Sequence, residues 1–369
     1  RPRQVHTQVR FLTMSADASN PLDLRADDPS LSLDFLMVDE YLRTLVDARA
    51  LKTAFELGLI DRLSAQRSGS VEALGRMLGL DPPGARFLLD LLGANKVIEE
   101  HHGEVRFTRR FRDALRFRDL LETKLDYAGF TINDFSDLFT TLVRNASGFM
   151  GQAQIFALFD YRRCFEYTPE NYAITRGWMR ITSTLTRYEA RACLRSYDFS
   201  RHRRMLDIGG NSGEFVLQIC RRYPHLLGTV FDLPLVCEIG AEHVLAEPEA
   251  ERISFVPTDI RREQIPFGFD LISFKSMLHD WPEQEARQFI DKAVRALEPG
   301  GTLLIFERAR LVVGDTTPSM AMLPNLLFFR SYREPAAYEE QMRDLGLEDV
   351  CHRMVDLDSP YFVVTGRKP

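Results

Sequence analysis

From Arg204 onward the chain alternates short apolar runs with segments of helical period. The runs at 205–208, 227–231, 253–256, 271–275 and 302–306 have strand length, and 214–222, 236–245 and 284–297 read as helices between them. Strands that are apolar at nearly every position are covered on both faces, so the pattern predicts a parallel, doubly wound, Rossmann-like α/β sheet. Pro299-Gly300-Gly301 ends the last of these helices. Two further runs, 350–355 and 361–364, are joined by Asp358-Ser359-Pro360 and predict a hairpin that adds an antiparallel strand.

Upstream the period is helical. Ala54-Phe55-Glu56-Leu57-Gly58-Leu59-Ile60 closes one helix on a glycine, Ser70 caps the next, and Asp81-Pro82-Pro83 starts a third over 84–92. Two short strands, 97–99 and 105–108, flank His102-Gly103. Three helices and a hairpin follow the winged-helix order. A DNA reader carries basic and amide side chains on its third helix. Here that helix reads Ala85-Arg86-Phe87-Leu88-Leu89-Asp90-Leu91-Leu92, so the order predicts a packing or dimerisation module. Residues 116–200 are helical and rich in aromatics, Phe165 and Trp178 among them, as suits either a cap over a flat apolar ligand or an ordinary helical core. The expected organisation is a flexible lead-in over 1–32, a winged-helix-like domain over 33–115, a helical cap over 116–200 and a cofactor-binding catalytic domain over 201–369. Met14 is a candidate start, which would make the first thirteen residues an upstream remnant.

Composition narrows the class. With 369 residues, 45% of them hydrophobic, the chain can bury a large core. A net charge of -6, with both signs interspersed, gives no support for nucleic-acid binding. The apolar stretches fall short of the ~18 residues that span a membrane, and no secretory signal is expected. Five scattered cysteines without a C-x-x-C spacing suit reduced thiols in a cytoplasm and offer no metal site.

The chemistry concentrates at strand ends. Leu206-Asp207-Ile208-Gly209-Gly210-Asn211-Ser212-Gly213 is a strand feeding a glycine turn, where backbone can approach a ligand closely. Asp232, at the end of the second strand and followed by Leu233, stands where a carboxylate reads ribose hydroxyls. A dinucleotide is disfavoured, because Asn211 occupies the place of its second glycine. Asp259 and Lys275 also end strands. His279, between the fourth strand and the next helix, can act as a base near neutral pH. Asp280-Trp281-Pro282-Glu283 fits a capping pattern, so Asp280 is read chiefly as a helix cap. Glu307 ends the next strand and can orient the imidazole. Glu334 offers a second carboxylate or a charge at a helix start.

The glycine turn, Phe231-Asp232-Leu233-Pro234, Lys275-x-x-x-His279-Asp280-Trp281, Pro299-Gly300-Gly301 and Arg333-Glu334 together resemble the class I S-adenosylmethionine-dependent small-molecule O-methyltransferases, over about residues 33–369. These include plant caffeate and flavonoid enzymes and bacterial antibiotic-tailoring enzymes. The resemblance implies methyl transfer from S-adenosylmethionine, with S-adenosylhomocysteine as product, to a hydroxyl of an aromatic or polyketide-like natural product, by an intertwined homodimer. It implies cofactor contacts from Asp207, Gly209, Gly210, Asp232, Leu233, Asp259, Ile260 and Lys275. His279 would be the base, flanked by Glu307 and Glu334, with Phe165, Trp178, Met179 and Asn325 toward the acceptor. Departures from the family pattern are Asn211-Ser212, Thr258 before Asp259, Leu323-Pro324-Asn325-Leu326-Leu327, and Ser331-Tyr332. Most lie near the expected acceptor pocket, so C-methylation and use of the cofactor without methyl donation stay open beside O-methylation. A winged-helix regulator is the remote alternative.

Overall fold

The structure, a computed structural model, describes residues 28–314 and 317–369. Most of the expected flexible lead-in, and the candidate start at Met14, lie outside the described residues. Its last residues are packed: Pro29–Leu31 form a 3-10 turn on which Asp28 accepts from the Ser30 backbone at 2.9 Å, and Leu31 is buried.

Thr44 and Asp47 form a reciprocal capping box at the start of α1 (Leu45–Glu56). Gly58, at φ 75°, then turns the chain into a separate helix, α2 (Leu59–Gln66), which the sequence pattern does not distinguish from its predecessor. β1 (Gly69–Ser70) leads into α3 (Val71–Met77), whose Ser70 cap accepts from Ala73, and Asp81 likewise caps α4 (Pro82–Ala94). α4 buries Leu88, Leu89 and Leu92 and leaves Phe87 67% exposed. β2 (Ile98–His101) and β3 (Glu104–Phe107) form the expected hairpin, with both turn residues, His102 and Gly103, at positive φ. A three-stranded sheet results, in the order β1-β3-β2.

α5 (Arg109–Ala114), α6 (Arg118–Arg144), α7 (Ala146–Met150) and α8 (Pro169–Ser196) make up the helical middle. The alternating part follows: β4 (Arg204–Ile208), α9 (Glu214–Arg222), β5 (Leu227–Asp232), α10 (Pro234–Val244), β6 (Ile253–Pro257), β7 (Phe269–Lys275), α11 (Glu283–Ala296), β8 (Leu297–Arg308), α12 (Leu323–Leu327), α13 (Pro335–Asp344), β9 (Glu348–Asp356) and β10 (Pro360–Arg367). The sheet order is β6-β5-β4-β7-β8-β10-β9. The first five strands are parallel, and β10 runs antiparallel between β8 and β9. Alternate residues feed two cores: Met205, Val230, Leu271 and Phe306 toward α8 and α9, and Leu206, Phe231, Ile272 and Ile305 toward α11.

One local expectation changes. Pro299-Gly300-Gly301 does not separate helix from strand; α11 passes directly into β8, and the triplet forms an irregularity between the pairs Phe269–Leu297 and Leu271–Thr302. Gly300, at φ 76°, turns its N–H to the Lys368 carbonyl at 2.9 Å, so the extra residues are tied to the chain terminus. No described helix is long and apolar enough to cross a membrane.

Candidate active site

The strand order reverses at β4, between β5 and β7, and ligands of open α/β sheets bind at the carboxyl ends beside such a point. A cavity lies there, walled by α6, α8 and α12. Its floor is the glycine turn. Gly209 has φ 67°, and a Cβ on it would lie 2.4 Å from Met277 Cγ. Asp232 accepts from the Asn211 N–H at 2.8 Å and the Leu233 N–H at 2.7 Å, while burial pushes its carboxyl up to about 6. Burial likewise pushes Asp207 up to about 7, although Ser273 donates to it at 2.5 Å. The Asn211-Ser212 departure has a local role. Asn211 Oδ1 accepts from Ser212 N–H and from Thr182 of α8, and Ser183 bonds Ser212 at 2.6 Å, joining turn to cap.

Asp259 and Ile260 reach the cavity from the loop after β6. Burial opposes the Asp259 charge, but the hydrogen bonds and charge of Arg261 outweigh it and hold the carboxyl below its ordinary value. Lys292 of α11 donates to the carbonyls of Ile260 and Glu263, fixing this loop from behind. Lys275 reaches Thr186 at 2.8 Å and pairs with Glu189, both on α8.

His279 stands on the 3-10 turn Leu278–Asp280. Glu307 Oε1 accepts from the Met277 and Leu278 N–H groups, each at 2.8 Å, and Oε2 lies 2.6 Å from His279 Nδ1. A buried carboxylate of this kind only accepts, so Nδ1 carries the proton and Nε2 is left with its lone pair. Burial works against an imidazolium here. The Glu307 and Asp280 charges and the Nδ1 bond outweigh it, and the His279 pKa lies above the ordinary histidine value. Arg333 donates to the carbonyls of Leu278, at 2.8 Å, and Trp281, clamping the turn from outside.

Asp280 is not a helix cap. The N-terminus of α11 has no side-chain cap, and Pro282 occupies that position. Asp280 instead lines the cavity, accepts from Tyr161 at 2.8 Å and lies 3.4 Å from His279 Nε2. Glu334 is not brought to His279 either: it starts α13, its side chain is 55% exposed, and its ion-pair partner is Arg310 at 4.0 Å. Tyr332 packs on the imidazole instead, ring centroids 5.4 Å apart.

Of the residues expected toward the acceptor, Trp178 and Asn325 line the cavity, beside Phe159, Tyr161 and Phe328. Met179 is buried behind that wall with Cys164 and Leu235. Phe165 lies outside it, 43% exposed, under the Arg261 guanidinium. Sequence reasoning missed Tyr127, Glu189, Arg308 and Tyr332, which all line the cavity. A departure from the family pattern marked Tyr332, but nothing local marked the other three.

A close-approach glycine turn and the strand-end acid Asp232 open into the same cavity as a carboxylate-held histidine. That combination defines an S-adenosylmethionine-dependent methyltransferase, and the glycine cradle with Asp232 fits the nucleoside of that cofactor. The family model of the O-methyltransferase domain matches residues 146–346, and the chain belongs to that family. It is 31% identical over 321 residues to the 3-hydroxy-5-methyl-1-naphthoate 3-O-methyltransferase of Streptomyces sahachiroi, covering 85% of this chain and 88% of that protein. It is 27% identical over 263 residues to the N,N-dimethyltransferase OxyT of Streptomyces rimosus, covering 70% and 74%. Among solved structures, human N-acetylserotonin methyltransferase in complex with its cofactor shares the fold, with a TM-score of 0.69 and 23% identity over 87% of this chain and 93% of that one. The chain is thus an O-methyltransferase that uses S-adenosylmethionine and acts on a small molecule.

Proposed function

We propose that the acceptor is an aromatic hydroxyl compound of natural-product biosynthesis and that His279 removes its proton. The observation that carries this is the 2.6 Å contact between His279 Nδ1 and Glu307, which leaves Nε2 as the acceptor of a proton in an aromatic-walled cavity. S-adenosylmethionine supplies an electrophilic methyl group when bound. The Gly209-Gly210 turn with Asp207, the Asp232-Leu233 and Asp259-Ile260 loops and Lys275 would hold it. Trp178 and Asn325 hold the acceptor ring, and the aromatic wall excludes water. Glu307 fixes the imidazole tautomer, and Glu307 with Asp280 stabilises the imidazolium that proton removal creates. The naphthoate acceptor of the Streptomyces sahachiroi relative points the same way.

The test is methyl transfer from labelled S-adenosylmethionine to a panel of naphthols, run beside His279→Gln. The expected result is an aryl methyl ether from the wild-type protein and a rate lower by about 10²–10⁴ in the variant, with cofactor affinity retained. Label on carbon, or an undiminished rate in His279→Gln, would overturn this reading.

We also propose a cytoplasmic homodimer built on the N-terminal helices. Leu45 and Val46 on α1, Phe130, Phe139 and Val143 along α6, and Met150 on α7 are exposed apolar side chains of the kind an obligate interface covers. All five cysteines are free thiols, as suits a reducing compartment. Light scattering at micromolar concentration should give twice the chain mass; a monomer would refute the assembly.

A further inference from the structure

Glu307 and Arg308 are neighbours at the end of β8, and strand alternation sends their side chains to opposite faces. Glu307 turns to His279. Arg308 turns to α8, lies over the Tyr361 ring at 4.8 Å and donates from Nη2 to Glu189 at 2.7 Å. It lines the cavity and keeps 13% of its side-chain surface. Its Nε–H is out of contact with water and meets no acceptor among the described residues.

The nearby carboxylates are already engaged. Glu189 is shared with Lys275 and the Tyr361 hydroxyl. Asp358, the next acid toward Arg308, lies 2.9 Å from Lys124. Glu307 holds His279, and Asp280 accepts from Tyr161. Arg308 therefore faces the cavity with one carboxylate that it divides with a lysine, and a cation in that state favours an anionic ligand oxygen. Tyr332 adds to this. The second carboxylate expected beside His279 would repel an anion, but the residue there is a phenol, 4% exposed, with its hydroxyl 3.5 Å from Asn325 Oδ1.

We propose that Arg308, with Tyr332, makes the acceptor end of the cavity selective for an aromatic hydroxyl compound carrying a second, anionic oxygen group, such as an aryl carboxylate. The proposal rests on the methyltransferase reading above and adds the class of acceptor.

The test is equilibrium binding, by calorimetry, of a hydroxynaphthoate and of the naphthol with the same ring system to the protein saturated with S-adenosylhomocysteine. The wild type should bind the hydroxynaphthoate about tenfold or more tightly than the naphthol. In Arg308→Met the preference should collapse to within about twofold, and in Tyr332→Phe it should shrink severalfold. Equal binding by the wild type, or a preference that survives in Arg308→Met, overturns the proposal. If Arg308→Met does not fold, the wild-type comparison and Arg308→Lys decide, the lysine keeping the sign of the preference and losing part of its size. Methyl transfer to both compounds separates the two readings. Arg308-dependent binding without transfer would sink the methyltransferase assignment of the acceptor and leave the anion site standing. Transfer to both compounds with equal kcat/KM would sink the anion site alone.

Discussion

Glu307 accepts three hydrogen bonds, two from backbone N–H groups and one from the His279 imidazole, so one carboxylate sets both the shape of the turn and the state of the proposed base. Glu307→Gln should therefore have two separable effects. An amide facing Nδ1 can present a donor, which favours the other tautomer and places a proton on Nε2. The expected loss is about 10²–10⁴ in kcat. Unfolding free energy should drop by about 1–3 kcal/mol as the buried donors lose part of their acceptor. The sign of the pH effect also follows. With His279 as the proposed base, only its neutral form is active, so kcat should rise with pH through the His279 pKa, which Glu307 and Asp280 hold above the ordinary value against burial. Without the Glu307 charge, burial gains weight and the acid limb of any residual activity should move to lower pH. A kcat–pH profile for each protein checks this, and an unshifted limb would show that Glu307 does not set the titration. His279 and Glu307 were legible in the sequence because each follows or ends an apolar strand, where sheet folds gather chemistry. Asp280 misled because Asp-x-Pro-Glu before a helix is also a capping pattern, and the side-chain direction is decided by Tyr161, 119 positions earlier. Glu189 was illegible for a similar reason: a glutamate within a helix reads as a solvated charge until folding sets it beside Lys275 and Arg308.

At the scale of elements, the strands lie within about two residues of their sequence positions except where glycines intervene, because apolar runs bounded by Gly, Pro and Asp leave little freedom. Glycines were read less well. The pattern makes Gly58 a helix end, and it is a junction between two helices; it makes Pro299-Gly300-Gly301 the end of a helix, and the triplet is an irregularity within a strand. Local pattern shows that a glycine punctuates; only pairing partners show what it separates. Gly209 was the exception, since a strand-to-helix turn at a cofactor site demands both left-handed backbone and bare Cα. Gly209→Ala should cost about 1–2 kcal/mol from the backbone conformation alone. Its Cβ would also drive Met277, which sits next to the His279 turn, out of place. Cofactor affinity and kcat should both fall. Because the obstruction is the side chain of Met277, Gly209→Ala with Met277→Ala should recover part of the cofactor affinity and none of the backbone cost. Calorimetric Kd values and urea midpoints for the single and double variants separate the two contributions. Equal losses in both would place the whole effect in the backbone.

The stability of the whole molecule toward acid is set by buried groups whose titrations oppose one another. His202, just before β4, is buried with Nε2 2.7 Å from the Tyr197 hydroxyl, and burial pushes its pKa down to about 4. In the unfolded chain a histidine takes its proton near 6.5. Between these values the unfolded state binds the proton and the folded state does not, so folding stability falls as pH drops from about 6.5 toward 4, by up to about 3 kcal/mol from this group. The cavity acids work the other way. Asp207 and Asp232 have folded values near 7 and 6, each above the unfolded carboxylate, so their contribution improves as pH falls through the same window. The cavity floor thus carries, at neutral pH, a cost that acid relieves, while His202 carries a gain that acid removes. The two contributions have opposite signs in the same window, so a substitution is needed to expose each of them. His202→Gln should lower stability at pH 7 and narrow its deficit relative to wild type as pH falls to 5, because only the wild type loses the histidine contribution. Asp207→Asn should do the reverse, gaining on wild type as pH rises toward 7 and losing that advantage near pH 4. Urea unfolding of the three proteins at pH 7, 6 and 5 decides the matter. Parallel curves for wild type and His202→Gln would mean that His202 titrates alike in both states, and that its burial does not govern the acid response of the fold.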